Sequence, residues 1–158
     1  METQAARTMA LKLMEAHSLQ GWSFGWLSSR RKFGICNYRR KQISLSIPLV
    51  EANSEERVRD TVLHEIAHAL VGFSHGHNYV WKAAAVRIGA PPQACWTSAN
   101  TVRPSAKYIG TCRNGHTTLR NARSRTIACK KCCNEYNQGK WSAEFVFTYR
   151  TNTDGISK

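Results

Sequence analysis

No stretch constrains the fold of this chain more than His64-Glu65-Ile66-Ala67-His68, because the pentad lies inside an apolar run with helical spacing. Residues four apart share one face of an α-helix, so His64 and His68 point the same way and can grip one metal ion. Glu65 brings a carboxylate within reach of a water activated by that metal. The flanks agree with a helix. Asn53 and Glu56 form a relaxed capping box, Glu55 and Glu56 suit the positive end of the helix dipole, and Val58, Val62, Ile66 and Ala69 recur at helical intervals. The helix is predicted to start at Asn53 as N-cap and to run to about Val71, with Gly72 closing it. Leu63, Ile66, Ala67 and Leu70 beside the histidines imply partial burial.

A catalytic zinc takes three protein ligands and keeps a fourth position open. The third ligand here must come from the loop that follows. A metzincin spacing would put it six residues after His68, where Ser74 stands, so that arrangement is excluded. His75 and His77 are the two candidates. Gly76 favours His77, since glycine permits a sharp turn toward the metal, and the next helix would then fix the ring. In such a site Glu65 takes the proton of the attacking water and passes it to the leaving amine. Tyr79 and Arg87 lie nearby in sequence, but neither has a signal that assigns it the oxyanion role.

The rest of the chain reads as a framework for this helix. Ala6, Met9, Ala10, Leu13 and Met14 predict a helix over Thr3 to His17. Apolar alternation at Trp22 to Trp26 and Gln42 to Leu49, with a short apolar run at Phe33 to Tyr38 between them, predicts three antiparallel strands, with Pro48 ending the third or marking an edge. Residues 73 to 78 are expected as a loop, Tyr79 to Ile88 as a helix stopped by Gly89, and 89 to 104 as a connector. At 158 residues the ceiling is one enzyme-sized core plus a small appendage.

That appendage carries a second ligand set. Cys112-x3-His116 and Cys129-x2-Cys132, twelve residues apart, suit a tetrahedral structural zinc, with a hairpin expected between the two knuckles and a last strand over Ala143 to Tyr149. So small a unit buries little apolar surface, so metal would supply much of its folding free energy. Cys133 competes with Cys132 on position, although the two-residue spacing favours Cys132. Cys36 and Cys95 stand alone and read as packed thiols. With no secretory signal and the thiols crowded together, ligation is expected rather than disulfides.

Charge separates the two parts. The chain holds 23 basic and 10 acidic side chains, a formal +13, and residues 103 to 150 alone hold ten basic against two acidic. Such a surplus favours polyanions. Arg113, Arg120, Arg123, Arg125, Lys130 and Lys131 form a candidate phosphate-contacting surface, with Tyr108, Tyr136 and Trp141 available to stack on exposed bases. These contacts would give affinity rather than sequence choice. No segment approaches the ~18 apolar residues of a membrane span, and Met1 to Ala16 is amphipathic, so no membrane partner is expected.

His64-Glu65-Ile66-Ala67-His68, then Gly76-His77 with Trp81 four residues later, resembles the SprT-like zinc metalloproteases, of the compact bacterial or phage kind. The resemblance covers roughly residues 5 to 135. It implies His77 as the third ligand and Glu65 as the catalytic residue. Many chains of that type carry cysteine pairs in both knuckles, and His116 departs from this. The resemblance also implies proteins attached to or crosslinked with DNA as substrates. The expected architecture is α+β, a zincin-like domain of helices on a short antiparallel sheet over residues 1–104, a basic zinc ribbon over 105–150 and a tail over 151–158. Two zinc ions, one catalytic and one structural, a protein substrate, DNA (single-stranded where bases are exposed) and a cytoplasmic location in a bacterium or a phage-infected host complete the expectation. A non-catalytic zinc-dependent DNA-binding module, or a general peptidase without a DNA role, are the alternatives.

Overall fold

Small side chains let the first helix sit close to its neighbours. In α1 (Thr3–Ala16), Ala6, Ala10 and Met14 recur every four residues and are all buried. The computed structural model describes residues 1–93 and 101–155, so the expectation for Cys95 and part of that for the 89 to 104 connector lie outside the described residues. Two compact units divide the chain, Met1–Pro104 and Ser105–Lys158.

Three strands follow α1: β1 (Ser23–Leu27), β2 (Gly34–Asn37) and β3 (Gln42–Ser46). Their order is β1-β3-β2, with β3 in the middle. β2 pairs with β3 antiparallel, Cys36 opposite Ile43, but β1 pairs with β3 parallel, Trp26 opposite Leu45. The expected all-antiparallel sheet is therefore corrected to a mixed one. Alternation dictates which face a side chain takes, not which strand lies next to it. The segment 28–33 carries the chain past the end of β3, where the Ser46 backbone N–H donates to Phe33 O and its hydroxyl to Ser29 O.

Pro48 does not merely end a strand. Ser46 caps a short helix, α2 (Ile47–Ala52), its Oγ accepting from Leu49 N at 3.2 Å, and Pro48 occupies the first turn, where a missing N–H costs nothing. The next helix, α3 (Glu55–Val71), is capped by Ser54, whose side chain accepts from Arg57 N. Asn53, the expected cap, is used otherwise: its amide donates to Leu49 O and Val102 O and accepts from Val102 N, each at 2.8 Å. Cap assignment from adjacent polar residues fails here because a long-range backbone partner competes for the amide.

α3 is the centre of the first unit, packed by α1, β2, β3 and α4 (Tyr79–Arg87). Val58, Val62, Leu63, Ile66 and Ala67 are fully buried against Ile43 and Leu45 of β3 and Trp81 of α4. Between α3 and α4, Phe73–His75 form a 3-10 turn where a plain loop was expected.

The second unit has an antiparallel sheet of β4 (Tyr108–Thr111), β5 (Thr117–Arg120) and β6 (Thr148–Thr151), in the order β5-β4-β6. The expected hairpin between the knuckles is corrected. The hairpin is β4-β5, and the first knuckle forms its turn. The second knuckle opens a helix, α5 (Lys130–Tyr136), which periodicity over so few residues did not signal. The expected strand over 143–149 is a 3-10 turn at Ala143–Phe145 followed by β6. Among the described residues the buried cluster of this unit is Cys112, Cys129, Cys132, Cys133, Phe145 and Phe147, with Ile127, Ala128 and Tyr149 packed against it, a small core to stand on apolar burial alone.

Candidate metal centres

Helical periodicity places His64 and His68 on one face of α3 and turns Glu65 to another. The third imidazole arrives through the following turn. Gly76 adopts φ 47°, a left-handed value that favours glycine, and His77 enters beside the N-terminus of α4. Asn78 then caps that helix, accepting from Val80 N and Trp81 N. The Nε2 atoms of His64, His68 and His77 converge, 3.3 Å between His64 and His68 and 3.0 Å for each of the other two pairs. Four tetrahedral ligands at the usual Zn–N length would be separated by about 3.3–3.4 Å, so these nitrogens fit one zinc-sized ion. His75 is not in this group. Its Nδ1 faces the Asn78 amide at 3.3 Å instead.

Electrostatics prepare the imidazoles as ligands. Burial, then the neighbouring His68, His77 and Arg57, push His64 down to about 3, and burial and His77 push His68 down to about 4. Burial lowers His77 as well, although it lies nearest the solvent. All three rings are thus neutral near pH 7, the form a metal requires. Nitrogen lone pairs facing one another this closely repel unless a proton or cation lies between them, which is the physical reason such a cluster holds a metal.

Packing orients the rings. Trp81, fully buried, lies 4.7 Å from the His64 ring, 5.2 Å from His68 and 4.6 Å from His77. His64 Nδ1 is buried without a hydrogen-bond partner among the described residues, so this indole contact helps to hold its ring. At the end of α3, Tyr38 Oη lies 3.3 Å from His68 O and 3.4 Å from Gly72 O, positioned to donate to the carbonyls there. Sequence reasoning assigned no role to Trp81 beyond its place in the motif, and none to Tyr38. The spacing Gly76-His77-x3-Trp81 was the available signal for the first, and nothing local marked the second.

Glu65 faces strand β2. It is only 8% exposed, and burial pushes its carboxyl up to about 8, opposed by a hydrogen bond from the Cys36 backbone N–H. Without a metal the buried carboxyl therefore holds its proton near neutral pH, and a bound cation would favour the carboxylate. Cys36 itself is a free, half-buried thiol, pushed up to about 12 by burial and then by the Glu65 charge. Tyr79 is 82% exposed.

The second centre gathers Cys112, His116, Cys129 and Cys132. Cys112 Sγ lies 3.7 Å from Cys132 Sγ, and His116 Nδ1 lies 3.6, 3.3 and 3.7 Å from the sulfurs of Cys112, Cys132 and Cys129. A tetrahedral Zn²⁺ with ordinary Zn–S and Zn–N lengths demands ligand separations of about 3.6–3.8 Å, so this cluster can hold a metal ion and suits zinc. Cys133 is buried in the apolar cluster and is not part of the ligand group. His116 presents Nδ1, and Asn114 Nδ2 donates to Cys132 Sγ at 3.5 Å. Burial opposes ionisation of Cys129, but the backbone N–H groups of Cys132 and Lys131 and the Cys132 and Cys112 thiols draw it down, while burial pushes Cys132 up.

The basic residues of this unit fall into two sets. Arg113 is ion-paired with Glu144, and the Arg123 guanidinium covers the Tyr108 ring at 4.8 Å. Arg120 lies at the end of β5, Arg125 in the loop beyond it, and Lys130 and Lys131 open α5, all four exposed. Tyr136 and Trp141 are exposed.

A model of the SprT-like family matches residues 3–103. Among curated proteins, Protein SprT of Glaesserella parasuis serovar 5 (strain SH0165) is 28% identical over 114 residues, which cover 65% of this chain and 73% of that protein.

Proposed function

The chain belongs to the SprT-like family, and from that premise we propose that it is a zinc-dependent metalloendopeptidase acting on proteins bound to or crosslinked with DNA. One observation carries the catalytic half of this reading. Three neutral imidazoles, two from α3 and one from the turn before α4, converge at 3.0–3.3 Å, and between the two of α3 stands a nearly buried carboxyl group. A purely structural metal site needs no such carboxylate.

In this reading Met1–Pro104 is a zincin-like catalytic domain, and His64, His68 and His77 hold the zinc. When bound, zinc supplies Lewis acidity that polarises the scissile carbonyl and eases deprotonation of the attacking water. Glu65 takes that proton on its carboxylate and delivers it to the leaving amine. Trp81 keeps the three rings in register and excludes water from beneath them. Tyr38 holds the His68 turn.

Residues 105–150 form a basic ribbon on a structural zinc held by Cys112, His116, Cys129 and Cys132, and 151–158 a tail. Arg120, Arg125, Lys130 and Lys131 would contact phosphates, with Tyr136 and Trp141 stacking on unpaired bases. Arg113 and Arg123 would contribute after leaving Glu144 and Tyr108. Among the described residues no helix is long and apolar enough to cross a membrane. Reduced, metal-ligating thiols suit the cytoplasm, and the substrates suggest a role in DNA repair.

The test is cleavage of a DNA-bound protein by parent and Glu65→Gln, with and without single-stranded DNA. Cleavage by the parent alone, stimulated by DNA, supports the proposal. Equal cleavage by both proteins refutes the assignment of Glu65, and binding to DNA that is absent or insensitive to salt refutes the nucleic-acid role.

A further inference from the structure

The strand facing Glu65 carries no side chain at the point of closest approach. A Cβ built on Gly34 would lie 2.7 Å from Glu65 Oε1, 2.8 Å from its Cγ and 3.0 Å from its Cδ. Rotating the carboxylate would move Oε1 away. It would not move Cγ, which needs a change nearer the α3 backbone, in a side chain that is only 8% exposed. Nothing in the backbone demands glycine here, because Gly34 is absent from the positive-φ residues of the chain. A glycine inside a strand weakens it, and its common justification is close approach by another group. That group is the Glu65 side chain.

Two residues along the same strand, the Cys36 side chain lies close enough to Glu65 to feel its charge. Positions two apart on a strand share a face, so the slot over Gly34 and the environment of Cys36 act on the same side of Glu65. Phe33, next to Gly34, is capped by the Arg57 guanidinium at 5.5 Å from its ring centroid, and Phe33 O accepts from Ser46 N. The start of β2 is thereby tied to α3 and to β3, which limits how far it can retreat from an added methyl group.

We propose that Gly34 is a positioning residue for the catalytic carboxylate: its missing side chain forms the slot in which Glu65 lies. The catalytic consequence rests on the peptidase reading, whereas the contact does not. Gly34→Ala therefore displaces Glu65 rather than the metal ligands.

The experiment is a thermal-unfolding cycle on the zinc-loaded full chain with Gly34→Ala, Glu65→Ala and the double variant, together with zinc content and turnover of fluorescein-labelled casein. Gly34→Ala is expected to lower the unfolding midpoint of the parent but not that of Glu65→Ala, where the slot is vacant. Zinc content stays at the parental level, and casein turnover falls by about 10²-fold with KM little changed. An equal midpoint loss in both backgrounds, or parental turnover by Gly34→Ala, overturns the proposal. If Gly34→Ala alone does not fold, a folded double variant supports the slot and an unfolded one refutes it. A parent that leaves casein and DNA-bound protein intact sinks the peptidase reading, and the thermal cycle still decides the contact.

Discussion

Trp81 and His77 meet edge to face with ring centroids 4.6 Å apart, and the same indole also touches His64 and His68. One side chain of α4 therefore orients three imidazoles contributed by α3 and by the turn before α4. Replacing it by Leu should leave a folded chain whose catalytic-site zinc affinity is about 10–100-fold weaker, the usual loss when a group that orients ligands is removed. Chelator competition measures this. Trp81→Ala should cost about 3–5 kcal/mol of stability through the cavity it opens.

His75 and His77 are separated by one glycine, yet only His77 joins the cluster. His77→Ala should lose one equivalent of zinc per chain and all peptidase activity, while His75→Ala keeps both. Elemental analysis of the purified variants distinguishes them. The opposite pattern would exchange their roles.

Glu65→Gln keeps the shape of the side chain but loses the proton acceptor. Zinc content should equal that of the parent, and turnover should fall by roughly 10²–10⁴-fold, the range for a positioned general base.

In the ribbon, Cys132→Ser should release the second zinc and melt residues 105–155, because the apolar cluster there is too small to fold without it. Cys133→Ser should keep the metal and lose only a little stability. Zinc stoichiometry and amide exchange of the ribbon report the difference.

The protonation shifts predict a stability maximum for the chelated protein. The three histidines are depressed below their ordinary 6.5, so the unfolded chain binds more protons below that pH and their contribution is lost as acid is added, through about 4 for His68 and about 3 for His64. Glu65 is raised from 4.5 to about 8, so its contribution is present below 4.5 and is lost as pH rises toward 8. Three histidines outweigh one carboxyl below pH 6.5. The unfolding midpoint should therefore rise from pH 5 to about 6.5 and fall toward pH 8. A monotonic profile over this range would contradict the burial assigned to these groups.

Much of both centres was legible because their parts are local. His64 and His68 share a face through helical periodicity alone, Cys129 and Cys132 share a knuckle through their spacing, and the long helix carrying the pentad announced itself by its apolar rhythm and its closing Gly72. The family resemblance added His77, where the residues by themselves left His75 open. Elements shorter than about two turns, α2 and α5, were hidden because so few residues carry no period. Ser54 rather than Asn53 capped α3 because the Asn53 amide found Val102, a partner forty-nine positions away.

The amino-acid sequence by itself determined the ligand types, the pairs that lie on one turn or one knuckle, and the concentration of positive charge beyond residue 103. Only the tertiary structure decided that β3 lies between β1 and β2, that Trp81 underlies the histidines, and that Glu65 rests over Gly34. The reason is geometric. Backbone periodicity sets angles between neighbours within an element, whereas the distance between side chains on different elements is set by how their surfaces pack, and no local pattern encodes it.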